Sequence, residues 1–360
     1  SINSKKIKKN DIFFAIKGKK KDGNHYLREV FNKKASLAIV NKINKLEKKS
    51  KQIKVKNTLS FLTKTSSKVR ENSSAKIIAI TGSCGKTSLK ELIGMTLNKL
   101  CCVTYSRKSF NNKFGVPLSL FNLNPKDDFG VFEVGMDKKG EIDALTKIIK
   151  PEVGVITNIS YAHAKNFKNL KQIALAKSEI MNNIVSGGSI VLNADDIFYK
   201  FHRKMALKKK LKVYSFSINK KNATVSLISI KKEKSKFKVI INLDNQKKYF
   251  FISSNFENNL KNLLAAITVI SIFKDIKTLN KNIFYNYQIP YGRGDFSKIK
   301  INRKNILLID ESYNSNPLSL KSSINNFDLI DSKHNKKHLI LGDMLELGRH
   351  SKKLHLEMSP

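Results

Sequence analysis

The chain has 360 residues and a mass of 40.9 kDa, more than one hydrophobic core usually holds, which predicts two or three domains. Lys and Arg number 69 against 28 Asp and Glu, and the formal net charge of +41 would ordinarily indicate a polyanion as partner. The lysines are spread along the chain among Asn and Ile, without interleaved aromatic residues, so a general compositional bias and a polyanion-binding surface both stay open.

The first part of the chain predicts a small α/β domain. An apolar run within residues 10–18 is followed by helical spacing at 26–32 and by a strand at 37–40. Residues 66–74 are rich in Ser and predict a linker. We therefore place the first domain at residues 1–72.

The next element is an apolar run at residues 75–80 that breaks into a glycine turn and then into helical spacing. Strand, turn and helix in this order are the context of a phosphate-binding loop, here in its short form because Ile80 stands where the long form has glycine. Backbone amides near Gly82 and Gly85 would bind phosphate oxygens, Lys86 would face the terminal phosphates and Thr87 would bind Mg²⁺. An ordinary glycine turn is the alternative.

Polar residues follow at positions suited to a ligand. The buried strand predicted at 129–136 carries Glu133 near its carboxyl end, where an acid beside a phosphate loop can hold Mg²⁺. A second strand leads to His163 at the same predicted edge, and Asn111 and Asn112 lie in a polar loop. The alternatives are an edge-strand glutamate, a structural histidine and an Asn-rich turn.

A lysine lies on the apolar face of the predicted helix that follows. The stripe comprises Leu170, Ile173, Lys177, Ile180 and Ile184. Because an unpaired buried ammonium is costly, the Lys177 side chain must reach solvent, pair with an acid such as Glu179, or have a chemical role such as phosphate contact or modification.

The remaining pattern adds strands and a second α/β unit. Strands are predicted at 189–195, 212–216, 223–230, 237–243 and 249–252, with the last three antiparallel, and a final strand at 339–341. The helix predicted at 258–273 carries Asn262, which either contacts a base or caps the helix. Arg293 lies in a glycine-rich junction, so the central domain is placed at 73–296 and a C-terminal domain at 297–360.

Compartment and chain ends can also be predicted. The three cysteines have no metal-ligand spacing, which favours a reducing compartment. No apolar run is long enough to span a membrane and no leader pattern is present, so we expect a cytoplasmic protein. The chain starts at Ser1 and its last pattern stops without a third strand, and both ends are therefore expected to be truncated.

Several motifs occur in the order found in Mur ligases, and the chain is identified as a member of that family by resemblance. The matching blocks are Thr81 to Thr87, Asn111 to Pro117, Glu133 to Met136, Thr157 to Ile159 with His163, Ala176 to Glu179, Gly292 to Gly294, Tyr313 to Pro317 and Leu341 to Gly348. The resemblance implies an α/β fold of three domains. These are a small N-terminal domain, a central P-loop ATPase domain with a mostly parallel sheet plus antiparallel strands, and the start of a Rossmann-like C-terminal domain.

The resemblance also implies an activity. Mur ligases form amide bonds in peptidoglycan precursor synthesis by an acyl-phosphate route that uses ATP and Mg²⁺, here with two ions. Within the family, the blocks at 111–117, 313–317 and 341–348 are typical of the member that adds D-alanyl-D-alanine to UDP-N-acetylmuramoyl-tripeptide. A monomer without a specific nucleic-acid partner is expected. A sister ligase that adds another amino acid is the first alternative, and a basic P-loop ATPase acting on nucleic acid is the second.

Site residues follow from the same resemblance. Lys86 would stabilise the transferred phosphoryl group, Thr87 and Glu133 would hold one Mg²⁺, and His163 together with a carbamylated Lys177 would hold the second. The implied ATP-binding residues are Thr81, Gly82, Ser83, Cys84, Gly85, Lys86, Thr87, Ser88, Asn262 at adenine, Arg293 at the phosphates, and Asp310 or Glu311 at the ribose. The implied substrate residues are Ser4 and Lys5 at the UDP group, Asn111, Asn112, Asn158, and Asn314 and Asn316 on the dipeptide side. The family's Asp-Ser-Arg is Asn3-Ser4-Lys5 here, and lysine lacks the bidentate fork of arginine.

Overall fold

The computed structural model describes residues 1–18, 21–253, 257–302, 304–330 and 336–358. The strands are β1 (Ile12–Phe14), β2 (Leu37–Val40), β3 (Gln52–Lys54), β4 (Lys76–Thr81), β5 (Val103–Tyr105), β6 (Phe129–Glu133), β7 (Val153–Ile156), β8 (Ser189–Asn193), β9 (Lys212–Ser217), β10 (Val225–Glu233), β11 (Lys236–Leu243), β12 (Gln246–Ile252), β13 (Asp295–Ile301) and β14 (Lys304–Asp310). The α-helices are α1 (Leu27–Asn32), α2 (Thr58–Glu71), α3 (Lys86–Leu97), α4 (Gly115–Phe121), α5 (Glu141–Ile149), α6 (Leu170–Ser178), α7 (Tyr199–Lys208), α8 (Glu257–Ser271), α9 (Pro317–Asp328) and α10 (Ser351–Leu356).

A small parallel sheet opens the chain, in the order β1-β2-β3. Its core forms because the apolar positions of β1, α1 and β2 fall on facing sides, with Phe13, Leu27, Val30 and Val40 all buried. The expected small α/β unit is therefore present at this end.

The linker predicted at residues 66–74 is wrong for most of its length, because α2 continues to Glu71. Asn57 caps this helix by accepting from the Ser60 amide. Ser66 and Arg70 lie about two and three turns after Thr58 on the buried face of this helix. Arg70 donates to the Glu152 carboxylate at 2.8 Å. The Ser-rich composition indicated a linker, but spacing of four residues gave these side chains a buried face to occupy.

A nine-stranded sheet forms the centre of the molecule, in the order β12-β11-β10-β9-β8-β7-β4-β6-β5. From the edge strand β5 across the sheet to β10, all neighbouring strands are parallel. Strands β10, β11 and β12 pair antiparallel, as the sequence predicts. Since β4 lies between β6 and β7, the carboxyl ends of these three strands meet at one edge of the sheet. That edge is where ligands bind in open α/β folds.

The central sheet is buried on both faces. Along β4, Ile78 and Ile80 point into a core shared with α3 and α8, while Ile77 and Ala79 point into a core shared with α4 to α7. A strand covered by helices on both sides reads as a continuous apolar run, which explains why β4 was recognisable in the sequence.

The last described part begins with the antiparallel hairpin β13–β14 and continues into α9. The strand predicted at 339–341 is absent, since residues 336–344 have no regular structure and Ile340 is 94% exposed. A strand needs a paired neighbour, and within the described ranges none lies beside this run. Met344 and Leu347, just after it, are buried against the central core.

No helix in the described part of the chain is both long and apolar enough to cross a bilayer. The proposed domain boundary at 296/297 lies inside β13, and the one at 72/73 directly follows α2. Both boundaries stay predictions.

Candidate active site

The turn between β4 and α3 forms the centre of the candidate site. Gly82 has φ +145° and Gly85 has φ +80°, conformations that residues with a Cβ rarely adopt. Helix α3 begins at Lys86, so the free amides of its first turn lie at the end of this loop. Of the residues predicted to bind ATP, the eight at 81–88 are thus brought to the carboxyl edge of the sheet.

The loop backbone is held by the segment that follows β7. The Thr157 hydroxyl donates to the Cys84 carbonyl at 2.6 Å, and the Asn158 side chain accepts from the Cys84 amide at 2.9 Å. The Ser83 hydroxyl donates to the Ser160 carbonyl. Asn158, predicted to contact substrate, therefore lies against the loop, and Thr157, which the sequence analysis did not single out, supports it.

We expect Gly82→Ala to destroy this loop. A Cβ at position 82 would lie 1.9 Å from Thr157 Oγ1, in addition to its unfavourable φ. Together these should lower the free energy of unfolding by about 3 to 5 kcal/mol and abolish ATP binding. Gly187→Ala is the matched control, because φ there is +73° with open space around it, so only the backbone cost of about 1 to 2 kcal/mol applies. Denaturant unfolding and ATP titration calorimetry measure both variants, and equal losses would contradict the steric argument.

Glu133 is 1% exposed and joins the loop to the neighbouring strand. Thr87 Oγ1 donates to Glu133 Oε2 at 2.6 Å, and Asn111 Nδ2 donates to Glu133 Oε1 at 2.7 Å. The adjacency of β4 and β6 produces this contact. A hydroxyl and a carboxylate held this close are oxygen donors of the kind that Mg²⁺ prefers.

Lys86 folds back over the loop. Its Nζ donates to the Gly82 carbonyl at 2.8 Å and to the Ser83 carbonyl at 3.2 Å. Burial lowers the pKa of Lys86, and the charge of Glu133 opposes that shift. The ammonium group thus lies at the loop itself, where phosphate oxygens would replace carbonyl oxygens as its partners.

Lys177 is buried, with 1% exposure, and its Nζ donates to the Gly82 carbonyl at 2.9 Å. Burial, followed by the charge of Lys86, sets the pKa of Lys177 well below its ordinary value. Glu179 accepts instead from the Gly140 and Asp143 amides. The Lys177 side chain therefore neither reaches solvent nor pairs with Glu179. Of the alternatives stated in the sequence analysis, exposure to solvent and pairing with Glu179 are both wrong.

His163 lies beside two carboxylates. Its Nδ1 is 2.5 Å from Glu346 Oε2 and 3.1 Å from Asp137 Oδ1, and ligand atoms of the three residues all lie within 4.8 Å of one another. Burial lowers the pKa of His163, Glu346 raises it, and the charges of Lys86 and Lys177 lower it further. The charges of Lys86 and Lys177 therefore both act on His163. Imidazole and carboxylate oxygens form a donor set that suits a divalent cation.

The residues predicted to contact the nucleotide lie around the same loop. Asn262 is buried beside Gly85, since a Cβ on that glycine would come within 3.0 Å of Asn262 Oδ1. Arg293 Nη2 donates to Ser109 Oγ at 3.2 Å, and Ser109 in turn contacts the Thr87 hydroxyl. Ser109 was not predicted, and only its place beside the Asn111 motif could have indicated it.

Of the two residues predicted on the dipeptide side, Asn316 contacts the loop among the residues that the structure describes. It caps α9 by accepting from two amides, and its Nδ2 lies 3.0 Å from Cys84 Sγ. Asn314 and Asp310 bond locally, to the Ser315 and Ser312 amides. Glu311 lies beside Gly294 in the junction that carries Arg293.

Besides Asn314, three further predicted substrate residues are not drawn to the loop by the contacts that the structure describes. Asn112 Oδ1 accepts from the Phe114 and Gly115 amides and so caps the start of α4. Ser4 is buried in the first sheet unit, and Lys5 is exposed there. For the Asn112 oxygen, the turn interpretation is the one that the geometry supports.

Comparison with known proteins decides the family. Residues 80–270 match the family model described as Mur ligase middle domain. A UDP-N-acetylmuramoyl-tripeptide--D-alanyl-D-alanine ligase from Rickettsia prowazekii (strain Madrid E) is 35% identical over 367 residues, which cover 100% of this chain and 78% of the relative. The chain belongs to the Mur ligase family. This Mur ligase is accordingly an ATP-dependent enzyme that forms amide bonds.

Other relatives agree with this assignment. A ligase of the same name from Escherichia coli (strain K12) is 26% identical over 359 residues, covering 99% of this Mur ligase and 77% of the relative. The crystal structure I of MurF from Acinetobacter baumannii superposes with a TM-score of 0.84 at 28% identity, covering 99% of this chain and 76% of that one. The α/β fold of this Mur ligase, with a mostly parallel central sheet plus antiparallel strands, is thus the one expected of the family.

Proposed function

We propose that this Mur ligase joins D-alanyl-D-alanine to UDP-N-acetylmuramoyl-tripeptide at the expense of ATP, in peptidoglycan precursor synthesis. The observation that carries the proposal is the convergence of Lys86, Glu133 and Lys177 on one phosphate loop. The similarity to relatives of that name, which extends over the whole chain, supports the choice of substrates. Because ATP and UDP-linked precursors are made in the cytoplasm, we place the reaction there, carried out by a monomer.

The reaction proceeds in two steps, formation of an acyl phosphate and then of the amide bond. A carboxylate oxygen of the tripeptide attacks the γ-phosphorus of ATP, and the bond between that phosphorus and the β-γ bridging oxygen breaks. ADP departs, and the tripeptide now carries an acyl phosphate. The free amine of the dipeptide then attacks the acyl carbon, and inorganic phosphate leaves with the bonding electron pair as the nitrogen loses a proton. Both steps concentrate negative charge on phosphoryl oxygens, which the Lys86 ammonium and the loop amides are placed to stabilise.

The donors in the site fit the two Mg²⁺ ions that the family uses. Thr87 and Glu133 would hold one, and His163 with a modified Lys177 would hold the other. When bound, the ions neutralise phosphate charge and so reduce repulsion of the attacking carboxylate. The protein's own contribution is to fix the donors, and the 2.7 Å hydrogen bond from Asn111 orients the Glu133 carboxylate.

Carbamylation of Lys177 is part of the proposal. Burial lowers the pKa of Lys177 and so favours the neutral amine, which is the form that attacks CO₂. A nitrogen–carbon bond forms, one C=O bond opens to a carboxylate oxygen, and the nitrogen releases a proton to solvent. The product is an anion in place of a buried cation, which would offer oxygen ligands to a metal near the loop.

The remaining roles are proposed from position. Asn262 would face adenine and Arg293 the nucleotide phosphates, with Asp310 or Glu311 at the ribose. The proposed substrate contacts are Ser4 and Lys5 at the UDP group and Asn111, Asn112, Asn158, Asn314 and Asn316 towards the peptide. We divide the chain for these roles into domains at 1–72, 73–296 and 297–360.

The test is phosphate release by the purified protein with ATP, Mg²⁺ and UDP-N-acetylmuramoyl-tripeptide. We expect release, and a ligated product in the mass spectrum, only after D-alanyl-D-alanine is added. Release that is indifferent to the dipeptide would contradict the proposal. Stimulation by a single amino acid instead would indicate a sister ligase, and stimulation by DNA would favour the nucleic-acid ATPase.

A further inference from the structure

The C-terminal segment 344–354 is docked directly on the loop that carries His163. Met344 and Leu347 are buried in the core that also contains Ala164 and Phe167. The Lys165 amide donates to the Glu346 carbonyl at 2.9 Å. The backbone of this segment is therefore tied to the residue two positions after His163, independently of any side chain.

The two facing residues both have left-handed backbone conformations, φ +55° at His163 and φ +64° at Glu346. Histidine is found in this region more often than most residues, but glutamate is not, so surrounding contacts must compensate the strain at Glu346. The compensating contacts direct the two side chains at each other, with Nδ1 of the ring 2.5 Å from Oε2 of the carboxylate. The arrangement is built rather than accidental, because backbone and side chain fix it together.

Asp137 approaches the same nitrogen from another direction, at 3.1 Å. Its side chain is 56% exposed, against 38% for Glu346, so solvent competes more strongly for it. Glu346 is thus the closer and better shielded partner of Nδ1. A carboxylate this close to the ring restrains the direction in which the imidazole points, and so the position of its nitrogen atoms relative to a cation.

We propose that Glu346 is a positioning residue, which fixes the orientation of the His163 ring and so couples docking of segment 344–354 to assembly of the divalent-cation site. The inference rests on the function proposed above, which gives His163 a role in cation binding. In the described contacts, Glu346 touches neither the nucleotide loop nor the other residues proposed to hold a cation. It acts through the imidazole ring of His163. Cation affinity should therefore depend on whether this segment is docked.

A double-mutant cycle tests the proposal through Mn²⁺ affinity rather than through turnover. Mn²⁺ binding to the ADP-saturated protein is titrated by electron paramagnetic resonance for wild type, Glu346→Gln, His163→Ala and the double variant. We expect Glu346→Gln to weaken binding by about 10-fold, and to weaken it no further when His163 is already alanine. Glu346→Asp should recover part of the affinity because it retains the charge.

Two variants serve as comparisons. Glu357→Gln removes an exposed carboxylate of the same region and should leave Mn²⁺ affinity unchanged. Asp137→Asn should have a smaller effect than Glu346→Gln. Thermal unfolding confirms that each variant is folded, since the Lys165–Glu346 bond is made by backbone atoms and survives the substitution.

The contradicting outcomes are distinct. An equal loss from Glu346→Gln in both backgrounds, or no loss in the wild-type background, would overturn the positioning role. An unchanged affinity in His163→Ala would overturn it together with the cation role of His163. Neither result touches the ligase activity itself, which phosphate release dependent on D-alanyl-D-alanine measures separately.

Discussion

Replacement of Lys86 by methionine is expected to lower the rate of ADP formation by about 10²- to 10³-fold. Methionine matches the length of the lysine stem but carries no charge, so the phosphoryl oxygens lose the ammonium group that the loop holds at the Gly82 and Ser83 carbonyls. The loss should appear in kcat, because the charge it opposes is greatest in the transition state. Coupled-enzyme detection of ADP measures it.

Lys76→Met is the matched control for this substitution. Lys76 is an exposed residue at the start of β4, on the strand that leads into the same loop. It should leave both kcat and the unfolding temperature unchanged. A rate for Lys86→Met close to that of Lys76→Met would remove Lys86 from the proposed chemistry.

Lys177→Met is expected to reduce ligation by about 100-fold or more and to abolish its dependence on CO₂. Wild-type protein in buffer depleted of CO₂ should lose activity and regain it when bicarbonate is added, because the neutral buried amine is the group that takes up CO₂. Protein equilibrated with ¹³C-labelled bicarbonate should show a carbamate signal in its ¹³C spectrum. That signal should be missing from the variant.

The pH dependence of this uptake has a definite sign. Since burial sets the pKa of Lys177 well below its ordinary value, the amine stays neutral at pH values where an exposed lysine is charged. Carbamylation should therefore persist to lower pH than it would at an exposed lysine, and be lost as the pH falls through the lowered pKa. Lys171→Met, on an exposed position of the same helix, should neither change the rate nor the carbamate signal. A bicarbonate response that survives in Lys177→Met would assign the effect to another group.

The centre of the fold could be predicted from the sequence because its signals are local or follow from topology. The apolar run of β4, the glycines at 82 and 85 and the stripe of α3 are all contiguous in the chain. The proximity of Glu133 to Thr87 follows from the rule that parallel strands present their carboxyl ends at one edge. No further long-range information was required.

The surroundings of His163 could not be predicted, because they depend on contacts between distant segments. Asp137 and Glu346 are acids in loops, with no periodicity that would indicate a shared partner. Ser109 and Thr157 likewise act through positions that only the folded chain defines. Local patterns do not determine which loops meet.

The aromatic partners of individual lysines on the antiparallel strands could not be predicted either. Lys236 Nζ lies 3.5 Å from the Phe251 ring centroid, and Lys238 Nζ lies 4.3 Å from that of Tyr249. The pairing of β11 with β12 creates these contacts, which a reading along a single strand cannot detect.

The helix that replaced the expected linker has a mechanical consequence. Arg70 grips the Ile149 and Lys150 carbonyls at 2.8 and 2.9 Å, while Phe14 of the first sheet stacks edge-on against Phe121 with centroids 5.2 Å apart. The first sheet is thus attached to the part of the molecule that carries the nucleotide loop at two separate points, helix α2 and Phe14. These contacts restrict its motion relative to the loop. Hinge bending during turnover should accordingly concentrate at the glycines on either side of Arg293. The end of the substrate bound near the first sheet would then stay fixed, while the part of the chain beyond the hinge moves towards the other end.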